Sequence, residues 1–323
     1  MLCSANSVVG VLAISFVLLP SVHAADKIRV TITGPAAQFI PVALAQKKGI
    51  LQAEGLEADI VQMRGAVPIT ALVNADSDYH TIIGAGVAAA MRGLPVRVIA
   101  CFVPAPPIVL IARPEFKSVK DLKGQTIGAD PLGGTVTSAA VRIILKHFGL
   151  DPEKDVKFLP RGDPPARLAM MQQRLTAATL ASAPIDYLAM KMGFVVLARA
   201  ADIFSYPDSG LVTSVRKIKE KPDEVKRLIK AGINATRYIR ANREGTIQFL
   251  MERQKIDREM ATATYDGVAQ AFNEDGTVPE NGLRLVIEET KKAAKLNRDV
   301  SPADVADLTV LREAQRELGV KGK

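Results

Sequence analysis

A chain of 323 residues with 48% hydrophobic side chains is long enough to bury two cores, and its formal charge of +8 makes it basic. Lysines and arginines alternate with acids, as in residues 217–227, instead of forming a block, so the charge reads as solvated helix faces and argues against a nucleic-acid partner. Two cysteines and three histidines, none at ligand spacing, argue against a disulfide framework, a metal centre or a cysteine–histidine nucleophile.

Residues 8–19 form an apolar run followed by Pro20 and by Val22-His23-Ala24, the pattern of a secretory signal peptide cut near Ala24. The run falls short of the roughly 20 apolar residues a membrane span needs. No positive side chain precedes Val8, a departure from the usual signal. Cleavage would remove Cys3, which lies too early for lipid attachment, and would leave Cys101 in the apolar stretch 96–103 as a small buried hydrophobe. The mature chain is therefore expected in the periplasm, beginning near Ala25, with no cofactor.

From there strands are expected at 28–33, 58–62, 80–84 and 96–102, alternating with helices near 36–48, 68–74 and 87–92, the rhythm of an open parallel α/β sheet. Gly49 stands where a left-handed residue ends a helix, and Gly55 opens the next apolar run. Pro104, Pro106 and Pro107 interrupt, and 108–112 resumes as a hinge strand. A second series starts at Ser118-Val119-Lys120-Asp121, a capping-box arrangement, and continues through a strand at 126–130, a helix at 135–148 stopped by Gly149, a strand near Val156, and strands at 176–180 and 194–198. Residues 210–215 read as the return strand. Pro222 opens a long helix with Val225, Leu228, Ile229, Ile233 and Ile239 on one stripe, and further helices follow, one starting at Ser301-Pro302 with Asp304 three residues after the serine.

The segments FIPVALAQKKGILQAEGLEADI (39–60) and KSVKDLKGQTIGAD (117–130) resemble the lobe entries of periplasmic solute-binding proteins of nitrate, sulfonate and taurine-type ABC importers. The resemblance implies a two-lobed α/β periplasmic binding protein of type II, with two interlobe crossings and a helical C-terminal region packed on lobe one. It divides the chain into a signal peptide at 1–24, lobe one at 25–112 and 205–323, and lobe two at 113–204. Two departures stand out: residues 75–78 keep only the aspartate of the family's glycine-x-x-aspartate, and 172–176 keep neither residue.

Ligands of open α/β sheets sit beyond the carboxyl ends of strands, where helix N-terminal amides favour anions. Four turns qualify: 34–39 with Gln38 and Phe39, 64–67 with Arg64 and Gly65, 84–87 with Gly86 and Val87, and 130–135 with Gly133, Gly134 and Thr135. Arg64 and Arg161 suit a carboxylate or sulfonate through a bidentate contact. Set against these are plainer roles: a threonine cap at Thr135, surface arginines, a packed Phe39, and structural histidines at His80 and His147. The expected function is capture of a small anionic solute and its delivery to a membrane permease by a monomer. The alternatives are an enzyme on the same fold, related to pyrimidine-precursor synthases, and a ligand sensor for a membrane receptor.

Overall fold

The computed structural model describes residues 25–34, 36–63, 65–130, 135–160 and 162–320. The chain opens with β1 (Asp26–Ile32), a 3-10 turn at Ala37–Phe39, α1 (Pro41–Lys47), α2 (Ile50–Ala53), β2 (Leu56–Gln62), α3 (Val67–Asn74), β3 (Tyr79–Ile82), α4 (Ile83–Met91) and β4 (Val96–Val103). It then crosses to β5 (Val109–Ala112), β6 (Thr126–Gly128), α5 (Val136–His147), β7 (Lys157–Phe158), α6 (Pro164–Gln172), β8 (Ala178–Ala181), α7 (Ile185–Lys191) and β9 (Val195–Arg199). The return brings β10 (Ser209–Ser214), α8 (Val215–Glu220), α9 (Pro222–Ala241), α10 (Arg243–Gln254), α11 (Arg258–Val268), α12 (Glu280–Ala294), α13 (Pro302–Val305) and α14 (Thr309–Glu317).

These elements build two five-stranded sheets, ordered β2-β1-β3-β10-β4 and β7-β6-β8-β5-β9. In each sheet the strand next to a crossing is inserted antiparallel: β10 between β3 and β4, and β5 between β8 and β9. The neighbouring βαβ units keep the other pairs parallel, with Val30 opposite both Ile60 and Tyr79, and Ile127 opposite Phe158 and Ala178. Residues 109–112 therefore pair wholly within the second sheet, although the sequence assigned them to the end of lobe one. The two crossings are bonded to each other, since Tyr206 N–H and the Ser205 hydroxyl both donate to Pro104 O at 3.0 and 2.8 Å.

Local chemistry explains most element ends. Gly49 and Gly55 hold φ of 72° and 66°, a left-handed conformation that costs glycine nothing. Both expected capping boxes form: Asp121 accepts from Ser118 N–H at 2.9 Å, and Asp304 from Ser301 N–H at 2.8 Å. The helix expected at 36–48 is divided, because Pro41 has no N–H to continue a helix and instead starts one after the 3-10 turn. The strand expected at 80–84 ends at Ile82, and α4 starts at Ile83 instead of near 87. Ile83 N–H donates to Asp208 O at 3.1 Å, a partner supplied by the returning crossing.

The stripe Val225, Leu228, Ile229, Ile233 and Ile239 of α9 is fully buried against the first sheet, joined by residues of α1, α10, α11 and α14 in one core. The second sheet has its own core around Leu110, Ile127, Val141, Ile144 and Leu180. No helix among the described residues is long and apolar enough to cross a membrane.

Candidate functional site

A cleft cavity of about 100 Å³ lies where strand ends of the two sheets face each other, lined by Gln38, Ile108, Val136, Thr137, Pro164, Arg167, Leu180, Ala181 and Ser182. Gln38 arrives on the 3-10 turn after β1, held by Phe39 N–H to Ala36 O at 3.0 Å and packed under α11. Val136 and Thr137 are the first two residues of α5, whose N–H groups have no partner within the helix. Ser182 follows β8 directly, and its carbonyl is taken by Ile185 N–H at 2.9 Å. Ile108, Leu180 and Ala181 supply an apolar wall.

Arg167 enters from the first turn of α6, a helix started by Asp163, whose carboxylate accepts from Ala166 N–H at 3.0 Å, and by two prolines. Those prolines have no N–H to offer, so cationic charge on this flank comes from the arginine. Its Nε donates to Gly162 O at 3.0 Å, which orients the guanidinium. Burial draws Arg167 below the ordinary arginine range, with Asp163 and Asp130 opposing. Across the cavity stands Gln38, whose Oε1 is buried and accepts no hydrogen bond among the described residues. A cation, two helix-start amides, two hydroxyls and a carboxamide thus converge from both lobes, a donor-rich set suited to a small anion.

Of the residues expected from sequence, Gln38 lines this cavity. Phe39 shares its turn but is buried, and Gly65 lies exposed in the turn before α3 with φ of 65°. Thr135 acts as the helix cap, its hydroxyl accepting from Ser138 N–H at 3.2 Å. Arg64, Gly133, Gly134 and Arg161 lie outside the described residues. Gly86 and Val87 are corrected: α4 begins earlier than expected, so both sit in the helix body. Val87 is fully buried in the core, and a Cβ on Gly86 would meet Val212 Cγ1 at 2.6 Å, so the glycine serves close packing of α4 on β10. The unused amides at that helix start belong instead to Gly84 and Ala85. Arg167, Thr137 and Ser182 were missed, although Asp163-Pro164-Pro165 is a readable helix start that places Arg167 in its first turn.

Contacts across the cleft flank the cavity. On one side Arg142 of α5 pairs with Glu289 of α12, and Ala139 packs into the core under α4 and α12. On the other, Glu259 of α11 accepts from Lys191 at 2.6 Å and from the Tyr187 hydroxyl at 2.5 Å. Larger recesses of about 570 and 620 Å³ lie on the first lobe alone, with the ion pairs Lys47–Glu252 and Arg29–Asp59 among their lining residues. The expected structural roles of the histidines fit their surroundings: His80 is buried with Nδ1 3.1 Å from Thr31 O, and His147 ends α5 edge-on to Phe148. Cys101 is fully buried, and burial pushes its thiol far up.

The profile of the NMT1/THI5-like family matches residues 36–245, more than half of the chain. The chain belongs to that family. Among curated relatives, a candidate binding protein of Brucella abortus is 27% identical over 298 residues, covering 90% of this chain and 86% of its own. Among solved structures, the periplasmic aliphatic sulphonate-binding protein SsuA of Escherichia coli superposes with a TM-score of 0.73 at 17% identity, over 88% of this chain and 92% of its own. The desulfurization enzyme DszB shares the fold as well, with a TM-score of 0.68 at 14% identity over 91% of this chain and 99% of its own. The architecture is therefore the periplasmic binding protein fold, which serves both binding proteins and an enzyme.

Proposed function

We propose that this protein is the periplasmic solute-binding component of an ABC importer, exported with loss of residues 1–24, and that it captures a small anionic solute between its lobes. The observation that carries the reading is the set of donors lining the cleft cavity: the Arg167 guanidinium, whose Nε is oriented by Gly162 O, and the Val136 and Thr137 amides at the start of α5 on lobe two, opposite Gln38 on lobe one. Such groups cost free energy when buried without a partner, and an anion would satisfy several at once. The domain division that fits is a first lobe of residues 25–103 with 209–320 and a second of 109–199, joined by crossings at 104–108 and 200–208.

Function then follows from the hinge. A ligand touching both lobes binds the closed state better than the open one and shifts the population toward it, and the closed form is what a permease recognises. No bond is made or broken. The groups lining the cavity are a guanidinium, an amide and hydroxyls, which hold an anion and do not exchange protons near neutral pH. The enzyme alternative would draw on a titratable group or on the residues around 131–134 and 161.

Native mass spectrometry of freshly purified protein, followed by calorimetric titration with carboxylates, sulfonates and neutral analogues, tests the proposal. A retained anion, or selective anion binding without turnover, is the expected result. Preference for a cationic ligand, or chemical conversion of the bound compound, would overturn it.

A further inference from the structure

The carboxamide of Gln38 poses a separate question. Gln38 lines the cavity, and its side-chain oxygen is buried and accepts no hydrogen bond among the described residues. A buried amide oxygen without a donor costs free energy, because it has given up its bond to water. The turn that carries it is fixed on both sides: Ala37 and Phe39 are buried, Ile40 N–H donates to Ala37 O at 3.3 Å, and α11 packs over it. The side chain therefore stays at the wall of the cavity. The neighbouring groups do not supply the missing donor: Arg167 Nε is taken by Gly162 O, and no donor among the described residues bonds Gln38 Oε1.

We infer that Gln38 is a specificity-determining residue, and that the solute carries an N–H or O–H donor on the side remote from its anionic group. This rests on the cleft being the ligand site. The anion lies against Arg167 and the start of α5, and the donor reaches across to Gln38 Oε1, so a bifunctional acid bridges the two lobes where a simple anion engages one. A cavity of about 100 Å³ limits the pair to a compact molecule, such as a small amido, amino or hydroxy acid. A methyl group in place of the donor would leave the Gln38 oxygen unsatisfied in the closed state, which is the strongest form of discrimination a polar pocket makes.

Isosteric pairs test this directly: oxamate against pyruvate, sulfamate against methanesulfonate, and the neutral pair acetamide against acetone. Each exchanges an NH₂ for a CH₃ at nearly constant shape. Wild-type protein should bind the NH₂ member of each anionic pair about tenfold or more tightly. The variants Gln38→Leu and Gln38→Met should erase that preference, with unchanged thermal unfolding showing that the turn survives. Equal affinities within the pairs, or a preference that persists in both variants, would overturn the inference. Failure of oxamate, sulfamate and acetamide alike to bind would overturn it too. If only acetamide outbinds its partner and does so through Gln38, the anionic reading falls while the role of Gln38 stands.

Discussion

The two ends of the first sheet differ in how their charged groups are partnered, although at the amino-terminal end the buried Ser77 hydroxyl also stands without a hydrogen bond among the described residues. At the amino-terminal end of β3, Lys217 reaches Asp78 at 2.7 Å and Glu224 at 2.9 Å, while the Tyr79 hydroxyl donates to Glu224 at 2.8 Å and Arg29 N–H to Asp78 at 2.7 Å. Burial opposes the charge on Lys217, yet its hydrogen bonds to Asp78 and Glu224 hold it above the ordinary lysine range. Burial, reinforced by the charge of Glu224, drives Tyr79 far up. Every member has a partner, and the network ties β1, β3, α8 and α9 into one unit. At the carboxyl end of the sheet, Gln38 Oε1 has no hydrogen-bond partner among the described residues, and no described side chain caps the start of α4. The contrast separates polar groups that specify the fold from those available to a ligand.

The largest effect is expected at the amino-terminal end. Replacing Glu224 with alanine leaves Lys217 and Tyr79 without their shared acceptor and should lower unfolding stability by about 3–5 kcal/mol, measured by urea denaturation. Ligand affinity of the folded fraction should be unchanged. Arg167→Ala should reverse the pattern: about 2–5 kcal/mol of binding lost, tens to thousands of fold, with stability shifted little. An arginine variant that unfolds the protein but binds normally would erase the distinction between the two ends.

The interlobe contacts sharpen the comparison. Glu289 is 8% exposed, and Arg142 and Lys292 outweigh its burial to hold the carboxylate below the ordinary range. Because the Arg142 pair exists only with the lobes together, Glu289→Gln should weaken ligand binding about ten- to a hundredfold and speed release, read by stopped-flow fluorescence. Glu259, whose side chain is 60% exposed, should matter only a few-fold on substitution with glutamine. Equal effects at the two positions would mean that burial does not set the strength of the clasp.

A separate effect concerns Asp208 at the returning crossing, where burial pushes the carboxyl up to about 7 and Oδ2 has no hydrogen-bond partner among the described residues. The folded chain holds a proton that the unfolded chain, with an ordinary value of 3.8, has released. The stabilising contribution is complete below pH 3.8 and is lost as pH rises to about 7. His80 runs the other way: burial takes it from 6.5 down to about 4, against the pull of the Thr31 carbonyl. Its contribution is present above pH 6.5 and lost as pH falls to about 4. Asp208→Asn should therefore remove the alkaline-going loss, leave the acid-going one, and raise the melting temperature at neutral pH. An unchanged pH profile would show that Asp208 is solvated on opening of the hinge.

The sequence by itself determined the alternation of strands and helices, the left-handed turns at Gly49 and Gly55, the capping boxes at Ser118 and Ser301, and the two series split by a proline-rich crossing. These depend on residues a few positions apart, where side-chain geometry decides the backbone. The apolar stripe of α9 was equally legible because helical periodicity is local. Only the tertiary structure decided where α4 begins, since Ile83 takes its anchor from Asp208 across the second crossing, and with it that Gly86 and Val87 pack in the core. It likewise decided that Arg167 and Gln38 share a cavity, and that Arg142 finds Glu289, 147 positions along the chain. A polar side chain carries no local sign of whether its partner is another residue, water or a ligand, and that partner is set by how distant segments pack.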